Sequence, residues 1–365
     1  MTEPHPEPLD HDPVPALAAA DASDLWDAVV IGGGAAGLNA ALMLARSRRR
    51  VLVVDAGSPR NRFAEGVHGL LAREGTPPAE LLARGRAEVQ SYGGVMRSGR
   101  VRSVSGADGA FAVEADALEA AGGEGRASTG PIALAARQVI VAAGVSDALP
   151  DISGLAELWG SGVLHCPYCH GWEVRDRRIA VLAQDPAAAV HQAQLFRQLS
   201  AEVVVLQHSA APFGDVDARG LAARGIRVIP GEVVALEQAH GDANGDADAD
   251  AGSGRPTLNG ARLANGTVVP IDALVVASVP EAHLDFLAPL GLGAEPHPSG
   301  RGQHLPTTPF GVTSVPGLWA AGNATDLMAQ VGAAAATGAM VGAQVNAALV
   351  AAEVAAAVEG VRTAS

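Results

Sequence analysis

Two parts of the chain alternate between short apolar runs and amphipathic segments. The first part predicts a strand, a helix and a second strand, at 28–31, 38–46 and 51–54. The second part predicts the same succession, at 178–183, 187–199 and 203–206. A short apolar run bounded by turn residues is typical of a strand buried on both faces, and a helix between two such strands makes them parallel. The pattern therefore predicts an α/β fold with two βαβ units.

Weaker patterns surround these units. A helix is predicted over 79–91 and another over 330–358, with strands within 95–113, at 138–141, at 268, at 273–277 and at 318–321. Three segments lack any periodicity because prolines, glycines or acids interrupt them. We expect a disordered tail at 1–24, an exposed loop at 117–130 and a disordered loop at 239–256.

Length, charge and residue usage narrow the class of protein. A chain of 365 residues suggests two domains, since domains usually run about 100–200 residues. The net charge of −14 argues against nucleic acid or an anionic membrane as a partner. All 25 basic residues are arginines, which excludes Schiff-base and Walker-type chemistry. With no signal-like N-terminus and no apolar run of the roughly 20 residues that a membrane span needs, we expect a cytoplasmic protein.

The glycines of the first unit are spaced for a dinucleotide. Gly32 allows a tight turn, Gly34 lets the backbone approach a diphosphate, and Gly37 lets the helix pack on the strand. Asp55, at the end of the second strand, is placed for a ribose hydroxyl. A glycine-rich loop packed only for structure is the alternative. The polar turn that follows adds two candidate cofactor contacts, Arg60 and Asn61.

The second unit has no such loop. In place of the glycines the chain carries Gln184, Asp185 and Pro186. Bulk, negative charge and a rigid ring each hinder the approach of a diphosphate. The second strand then ends in residues 207–209, Gln-His-Ser, without the arginine pair that would hold the 2′-phosphate of NADPH.

The only two cysteines, Cys166 and Cys169, stand three apart, with His165 and His170 on their outer sides. This spacing closes a small disulfide ring and is typical of dithiol–disulfide chemistry. Zinc is the weaker alternative because no second ligand pair follows, and inert buried thiols are weaker still. The imidazoles suit a base role, since they titrate near pH 6.5 and take a proton from a thiol.

With these motifs in this order, the sequence resembles the low-molecular-weight thioredoxin reductase branch of the flavin disulfide oxidoreductases over about residues 26–355. The matching features are the glycine loop with Asp55, the turn at 142–144, the cysteine pair before the second βαβ unit, and the turn at 320–323. The resemblance implies two Rossmann-like domains, the second inserted in the first, and a homodimer. An FAD-binding domain would comprise 25–150 and 281–365, and an NAD(P)-binding-like domain with the cysteines would comprise 151–280.

The same resemblance assigns site residues. The cysteines with His170 and His165 are the catalytic candidates, with Cys166 outward and Cys169 facing the flavin. The FAD contacts implied by the motifs and the resemblance are Gly32, Gly33, Gly34, Ala35, Ala36, Gly37, Asp55, Ala56, Gly57, Arg60, Asn61, His68, Ala143, Gly322, Asn323, Gln330 and Val331. No metal site is expected.

Two departures from the reductases decide the expected reaction. The nicotinamide loop is lost, and His170 replaces the usual Asp after the second cysteine. In both features the sequence resembles the FAD-dependent dithiol oxidases of the gliotoxin and holomycin type, which use O2. We therefore expect oxidation of a small-molecule dithiol or of a thioredoxin-like protein. The alternatives are a disulfide reductase fed by NADPH or ferredoxin, and a redox sensor without turnover.

Overall fold

The computed structural model describes residues 25–118, 130–239 and 257–363. The segment 1–24 and most of the two segments 117–130 and 239–256 lie outside the described residues. The strands are β1 (Leu25–Ile31), β2 (Val51–Asp55), β3 (Val95–Ala107), β4 (Ala110–Ala117), β5 (Pro131–Val141), β6 (Ser146–Ala148), β7 (Val163–Leu164), β8 (Ile179–Leu182), β9 (Val203–Leu206), β10 (Arg227–Ile229), β11 (Val233–Ala239), β12 (Thr257–Leu263), β13 (Val268–Pro270), β14 (Ala273–Val276), β15 (Val279–Glu281), β16 (Glu295–Pro296), β17 (Gln303–His304) and β18 (Leu318–Ala320). The helices are α1 (Ala35–Arg46), α2 (Pro78–Ser91), α3 (Pro167–His170), α4 (Pro186–Phe196), α5 (Asp215–Ala223) and α6 (Val331–Thr363), with 3₁₀ turns at Ala156–Leu158, Asp285–Leu290 and Gly322–Ala324.

The first domain is built on strands from both ends of the chain. β1 lies between β2 and β5, and β3 and β18 extend the parallel sheet on the two sides. Beyond its parallel pairing with β2, the far half of β3 forms an antiparallel meander with β4 and the first half of β5 in the same sheet. Ala28 to Val30 are fully buried because helices cover one face and the meander the other.

The second domain repeats the parallel design with residues from the middle of the chain. Its sheet has the order β10-β9-β8-β14-β7, with all neighbours parallel. An antiparallel sheet of β11, β12 and β13 packs beside it. The predicted α/β fold with two Rossmann-like domains is confirmed by these sheets.

A short ribbon joins the two domains. β6 leaves the first domain and pairs antiparallel with β15, which returns to it, so that Ser146 lies opposite Glu281. The predicted boundaries at 150/151 and 280/281 fall within two residues of this ribbon. Both crossings of the chain therefore occur at one place.

Helices α1 and α6 pack unusually closely in the first domain. A Cβ on Gly338 would overlap the carbonyl oxygen of Ala36, and one on Gly342 would lie 2.6 Å from that of Ala40. Glycine in a helix costs roughly 0.5–1 kcal/mol relative to alanine, and here it permits the contact. α6 therefore tolerates its glycines because α1 needs the space.

The long apolar helix α6 modifies one expectation. By length and composition alone, it is the one helix among the described residues that meets the criteria for crossing a membrane. An apolar run long enough to cross a membrane was not predicted from the sequence. Its first half packs on α1 through Ala334, Val341, Val345 and Leu349, although only 22% of the apolar window that meets the criteria is buried.

Candidate active site

The N-terminus of α1 forms an open cradle. Gly32 has φ 105°, and a Cβ there would overlap the carbonyl of Ala142. A Cβ on Gly37 would likewise overlap the carbonyl oxygen of Gly32. No side chain of the described residues caps this helix, and a Cβ on Gly34 would meet none of their atoms within 4 Å. The free N–H groups of the first turn are therefore open to an anion.

Asp55 supports the cradle from the end of β2. Its Oδ1 accepts hydrogen bonds from the N–H of Gly33 at 3.1 Å and of Gly57 at 3.2 Å. Its Oδ2 lies 3.7 Å from Arg86. One carboxylate oxygen thus orders the loop, and the other has no hydrogen bond among the described residues and is available to a ribose hydroxyl.

The cysteine pair lies where the inserted domain faces the first domain. Cys166 precedes the short helix α3, and Pro167 occupies its first position, where no N–H is needed. Both cysteines are free thiols, and their Sγ atoms are 2.8 Å apart. Gln330, beside the start of α6, places its Nε2 3.9 Å from Cys166 Sγ. Residues from the two domains therefore meet at the sulfur atoms.

The two thiols have very different pKa values. The hydrogen bond from Cys169, with those from the N–H groups of Tyr168 and Cys169, lowers the pKa of Cys166 to about 6 against the effect of burial. The same bond and burial raise the pKa of Cys169. In the dithiol form the negative charge therefore resides on Cys166, and Cys169 keeps its proton.

The two flanking histidines are placed differently. His165 donates from Nδ1 to the carbonyl of Val276 at 3.2 Å, and burial lowers its pKa. Burial also lowers the pKa of His170, although the carboxylate of Glu173 opposes this. The Nε2 of His170 is buried without a hydrogen-bond partner in the described part of the chain. At neutral pH His170 is thus an uncharged base with a free ring nitrogen.

His68 was implied as a flavin contact, and its side chain bridges two carboxylates. Its Nδ1 is 2.6 Å from Glu74 Oε1, and its Nε2 is 3.5 Å from Glu173 Oε1 in the inserted domain. It lies within electrostatic reach of His170. The imidazole therefore belongs to the surroundings of the redox pair.

Arg60, a candidate cofactor contact, forms a paired ion bridge at the ribbon. Its Nε and Nη2 donate to the two oxygens of Asp147 at 2.8 and 2.6 Å, and Ser278 donates to the same carboxylate at 2.7 Å. Burial opposes ionisation of Asp147, but Arg60 outweighs it and lowers the pKa of that carboxyl. The positive charge of Arg60 also acts on Cys169 and His165.

The remaining implied cofactor residues line the first domain. Asn323 donates from Nδ2 to the carbonyls of Asp326, Leu327 and Ala329, which fixes the loop before α6 and leaves its Oδ1 as an acceptor. Gly322 has φ 72°, and a Cβ on this residue would lie only 2.7 Å from the Cβ of Ala36. The others stand in the same loops: Ala35 and Ala36 begin α1, Ala56, Gly57 and Asn61 follow β2, Ala143 follows β5, and Val331 begins α6.

In the second domain, the N-terminus of the helix that corresponds to α1 is capped by a side chain of the protein. Asp185 precedes α4, and its Oδ1 accepts the N–H of Ala188 at 2.8 Å. After β9, His208 accepts the N–H of Val233 at 3.1 Å on Nδ1. The helix terminus that would bind a diphosphate is thus occupied by a carboxylate.

Several residues of the site were not predicted from the sequence. Glu173 stands three residues after His170, a spacing that was available as a signal. Glu74, Asp147 and Ser278 carry no motif and join the site only through the fold. Among the described residues no group of three or more His, Cys, Asp or Glu could hold a metal ion.

Residues 26–338 match the pyridine nucleotide-disulphide oxidoreductase family. The chain belongs to this family. As a pyridine nucleotide-disulphide oxidoreductase it is a flavin-dependent disulfide oxidoreductase. Its predicted resemblance to the thioredoxin reductases is confirmed. The open cradle at α1 and the adjacent Asp55 fit the diphosphate and ribose of a flavin dinucleotide.

Two curated relatives of this oxidoreductase are named thioredoxin reductases. It is 32% identical over 315 residues to thioredoxin reductase tcpT of Claviceps purpurea, covering 82% of this chain and 87% of the relative. It is 30% identical over 327 residues to thioredoxin reductase sirT of Leptosphaeria maculans, covering 86% and 91%. Among solved structures, HlmI is 39% identical with a TM-score of 0.78, covering 93% of this chain and 98% of HlmI.

Proposed function

We propose that this flavoprotein uses FAD to oxidise a dithiol substrate to a disulfide, with O2 as the final electron acceptor. The observation that carries the proposal is the contrast between two helix termini. The N-terminus of α1 is open to an anion, whereas Asp185 caps that of α4. An enzyme of this family that keeps its cysteines without a nicotinamide site needs another electron source, and thiols are the simplest one.

The first half of the reaction uses His170 as the base. Its lowered pKa leaves the imidazole neutral at pH 7, so that it takes a proton from one substrate thiol. The resulting thiolate attacks Cys166 in the Cys166–Cys169 disulfide and expels Cys169. Partial burial of Cys169 favours its neutral thiol over the thiolate, so this sulfur accepts the proton that His170 has just gained.

The second half closes the product. His170 takes the proton of the second substrate thiol, and that thiolate attacks the substrate sulfur of the mixed disulfide. Cys166 leaves as a thiolate, and its pKa of about 6 makes it a good leaving group. The enzyme then holds one thiolate on Cys166 and one thiol on Cys169, which is the charge distribution that their hydrogen bond supports.

FAD would be held by the glycine cradle, Asp55 and the loop that Asn323 orders. When bound, FAD would supply a two-electron acceptor for the dithiol and a donor of these electrons to O2, with peroxide as the product. Arg60, held by its ion pair with Asp147, acts electrostatically on Cys169.

A disulfide reductase is the second candidate because the named relatives are thioredoxin reductases. It would take electrons from NADPH or ferredoxin and act on a thioredoxin-like protein. The electron source separates the two functions. A redox sensor would bind flavin without turnover on any dithiol.

The test mixes the purified protein anaerobically with dithiothreitol and, separately, with NADPH, and follows flavin absorbance. We expect bleaching by the dithiol alone and recovery in air with release of peroxide. Cys169→Ser is the matched control: it keeps the flavin but has no enzyme disulfide, so the dithiol should leave it oxidised. Rapid bleaching of the wild-type protein by NADPH would reject the oxidase and restore the reductase.

The proposal includes a homodimer. The second half of α6 extends beyond Leu349 and exposes Val354, Val358 and Val361 on one side of the helix. Glu353 still contacts the first domain through Arg49 and Arg137, so the helix lies along that domain as it leaves it. A second copy of the chain would cover this apolar stripe.

A further inference from the structure

Exposed apolar side chains are concentrated around the redox pair. Among the described residues, the six most exposed large apolar side chains are 65–96% exposed. Two of them, Tyr168 at 69% and Trp172 at 65%, belong to the segment that carries the cysteines. Two more, Leu71 at 96% and Met328 at 71%, belong to loops of the first domain, and the remaining two are valines of α5 and α6. The reaction steps proposed above use none of these side chains.

The two aromatic rings stand on one side of the cysteine segment. Tyr168 lies in α3, and the chain continues helically through Gly171, whose φ is −72° and whose N–H donates to the carbonyl of Pro167 at 3.0 Å. Side chains four residues apart lie on the same side of a helical turn, so Trp172 follows Tyr168 on that side. Tyr168 also lies between the two cysteines in the sequence. A molecule that reaches the sulfurs therefore comes within reach of two aromatic rings.

Arg175 holds the exposed indole of Trp172 in place. Its guanidinium carbon lies 4.4 Å from the ring centroid, and its Nη1 donates to the carbonyl of Trp172 at 2.8 Å. The stacked guanidinium makes a cation–π contact, and the hydrogen bond fixes its position over the ring. A side chain that is already ordered loses less conformational freedom when a ligand binds. Trp172 is therefore an exposed aromatic surface that is organised for binding.

A loop of the first domain meets the cysteine segment beside Trp172. Glu173, the next residue in the chain, places its Oε1 3.5 Å from Nε2 of His68. The exposed Leu71 follows His68 in the same loop between β2 and α2. An apolar side chain of the first domain therefore lies near the aromatic rings of the inserted domain.

A second contact brings another apolar side chain to this junction. Gln330 places its Nε2 3.9 Å from Cys166 Sγ, and the exposed Met328 lies in the loop just before it. The amide oxygen of Gln330 would be 3.7 Å from a Cβ on Gly69, so the loops of Leu71 and Met328 adjoin each other. Ligand sites occur preferentially at domain interfaces. The four exposed apolar side chains therefore lie where a small ligand is expected.

We propose that Trp172 and Tyr168 select the substrate by binding its carbon skeleton, and that the preferred dithiol is a small molecule built on an apolar ring. This inference rests on the proposed function, because a dithiol that reacts at Cys166 has to lie beside these rings. Leu71 and Met328 approach the skeleton from the first domain. Apolar surface that leaves water on contact with an aromatic ring favours binding. These residues determine specificity and move neither protons nor electrons.

The size of the aromatic surface favours a small molecule over a protein as the substrate. An aromatic side chain buries about 150–250 Å² in a contact, whereas a stable protein interface needs about 800 Å² from each partner. The exposed charged side chains of Glu173 and Arg175 adjoin Trp172 and interrupt the apolar surface. The two rings are therefore sufficient for a ring-containing skeleton and too small for a protein interface.

The test compares two dithiols that have the same spacing between their thiols. One is ortho-benzenedimethanethiol, which carries an aromatic ring, and the other is dithiothreitol, which carries none. Peroxide release in air gives kcat and KM for each. We expect kcat/KM of the wild-type protein to be about tenfold higher for the aromatic dithiol, equivalent to about 1.4 kcal/mol and within the range of one aromatic pair. Trp172→Ala should remove this preference by raising KM for the aromatic dithiol alone, and Trp172→Phe should retain most of it.

Tyr92→Ala is the matched control, since Arg46 lies over that ring at 5.3 Å as Arg175 lies over Trp172. Tyr92 is 52% exposed and precedes β3, so it lies at the edge of the parallel sheet opposite to the glycine cradle. Its kinetic constants with both dithiols should equal those of the wild-type protein.

Two results with Trp172→Ala would overturn the proposal. One is a variant that keeps the preference, and the other is a variant that loses activity equally with both dithiols, because a structural role does not distinguish the two skeletons. Reduced thioredoxin that is oxidised with a lower KM than either dithiol, where Trp172→Ala raises that KM, would assign the surface to a protein and reject the small molecule. Tyr168→Ala gives the same comparison if Trp172→Ala does not fold.

Failure of the proposed function is recognised separately, by a measurement that needs no electron transfer. The redox-inert ortho-benzenedimethanol is added to the dithiol form of the enzyme before iodoacetamide. We expect it to slow alkylation of Cys166 in the wild-type protein and in Tyr92→Ala, but not in Trp172→Ala. Flavin bleaching by NADPH rather than by dithiols would reject the oxidase and leave this protection intact. Equal alkylation of the wild-type protein with and without the diol would overturn the binding surface, whichever way the electrons run.

Discussion

At the scale of single residues, one proton and two sulfur atoms determine the state of the redox pair. Cys166 receives hydrogen bonds from Cys169 and from backbone N–H groups, while Cys169 is buried beside it. The resulting asymmetry leaves the negative charge on Cys166 and the proton on Cys169, which suits Cys166 to the leaving-group role that we propose. His170, whose Nε2 is buried without a partner in the described part of the chain, is the base that we propose.

We predict that the dithiol form of the enzyme reacts with iodoacetamide mainly at Cys166, with a half-maximal rate near pH 6. The sign follows from the lowered pKa: the thiolate is present above about pH 6 and disappears as the pH falls below it. An ordinary cysteine would give about pH 8.5. Mass spectrometry of the alkylated peptide at each pH measures the midpoint.

Two variants at Cys169 control this prediction. Cys169→Ala removes the hydrogen bond to Cys166, so the midpoint should move up towards that of an ordinary thiol. Cys169→Ser retains a hydroxyl donor and should lie between Cys169→Ala and the wild-type protein. Equal midpoints in all three proteins would show that the hydrogen bond does not stabilise the thiolate.

At the scale of elements, the helices α1 and α4 follow equivalent strands, but only α4 has a side-chain cap at its N-terminus. α1 begins at glycines and leaves its N–H groups free of side-chain caps within the described ranges, whereas the carboxylate of Asp185 caps α4. The sequence showed this contrast, because Gly34 and Asp185 are local signals. The cap itself was seen only in the structure, since its geometry depends on the turn after β8.

We predict that Gly34→Ala and Gly37→Ala separate flavin binding from stability. Gly34→Ala should leave the free energy of unfolding of the apoprotein within about 0.5 kcal/mol, because no described atom lies within 4 Å of its Cβ. It should still weaken FAD binding, because the Cβ stands where the diphosphate approaches. Urea unfolding and flavin titration of the apoprotein measure the two quantities.

Gly37→Ala should instead reduce the free energy of unfolding of the apoprotein. Its Cβ would overlap the carbonyl oxygen of Gly32, so helix and strand have to move apart, which costs about 1–3 kcal/mol of unfolding free energy. Both variants binding FAD as tightly as the wild-type protein would remove the cradle from the cofactor site.

At the scale of the whole molecule, we predict that the exposed stripe of α6 holds two copies of the chain together. Val354→Asp with Val358→Asp places two charges on the stripe and should produce a monomer in analytical ultracentrifugation. Ala352→Asp with Ala356→Asp adds the same charges on the opposite side of the helix and should leave the dimer intact. A monomeric wild-type protein, or dimers in both variants, would reject this interface.

The sequence by itself determined the elements and the chemistry that short-range patterns encode. Apolar runs of strand length, glycines at turn spacing and two cysteines three apart each act within a few residues, so the two βαβ units, the open cradle, the redox pair and the missing second glycine loop were predictable. The predicted FAD-contact role of Arg60 remains a prediction, and its pairing with Asp147 was not foreseen.

Only the tertiary structure decided which distant residues meet at the cysteines. His68 reaches Glu173 across the junction of two domains, and Asp147 in the ribbon accepts hydrogen bonds from both Arg60 and Ser278. Such contacts join groups far apart in the chain, and their energies depend on how the ribbon of β6 and β15 sets one domain against the other. No local pattern carries that geometry, which is why the histidines beside the cysteines were predicted from the sequence and the contacts of the groups around them were not.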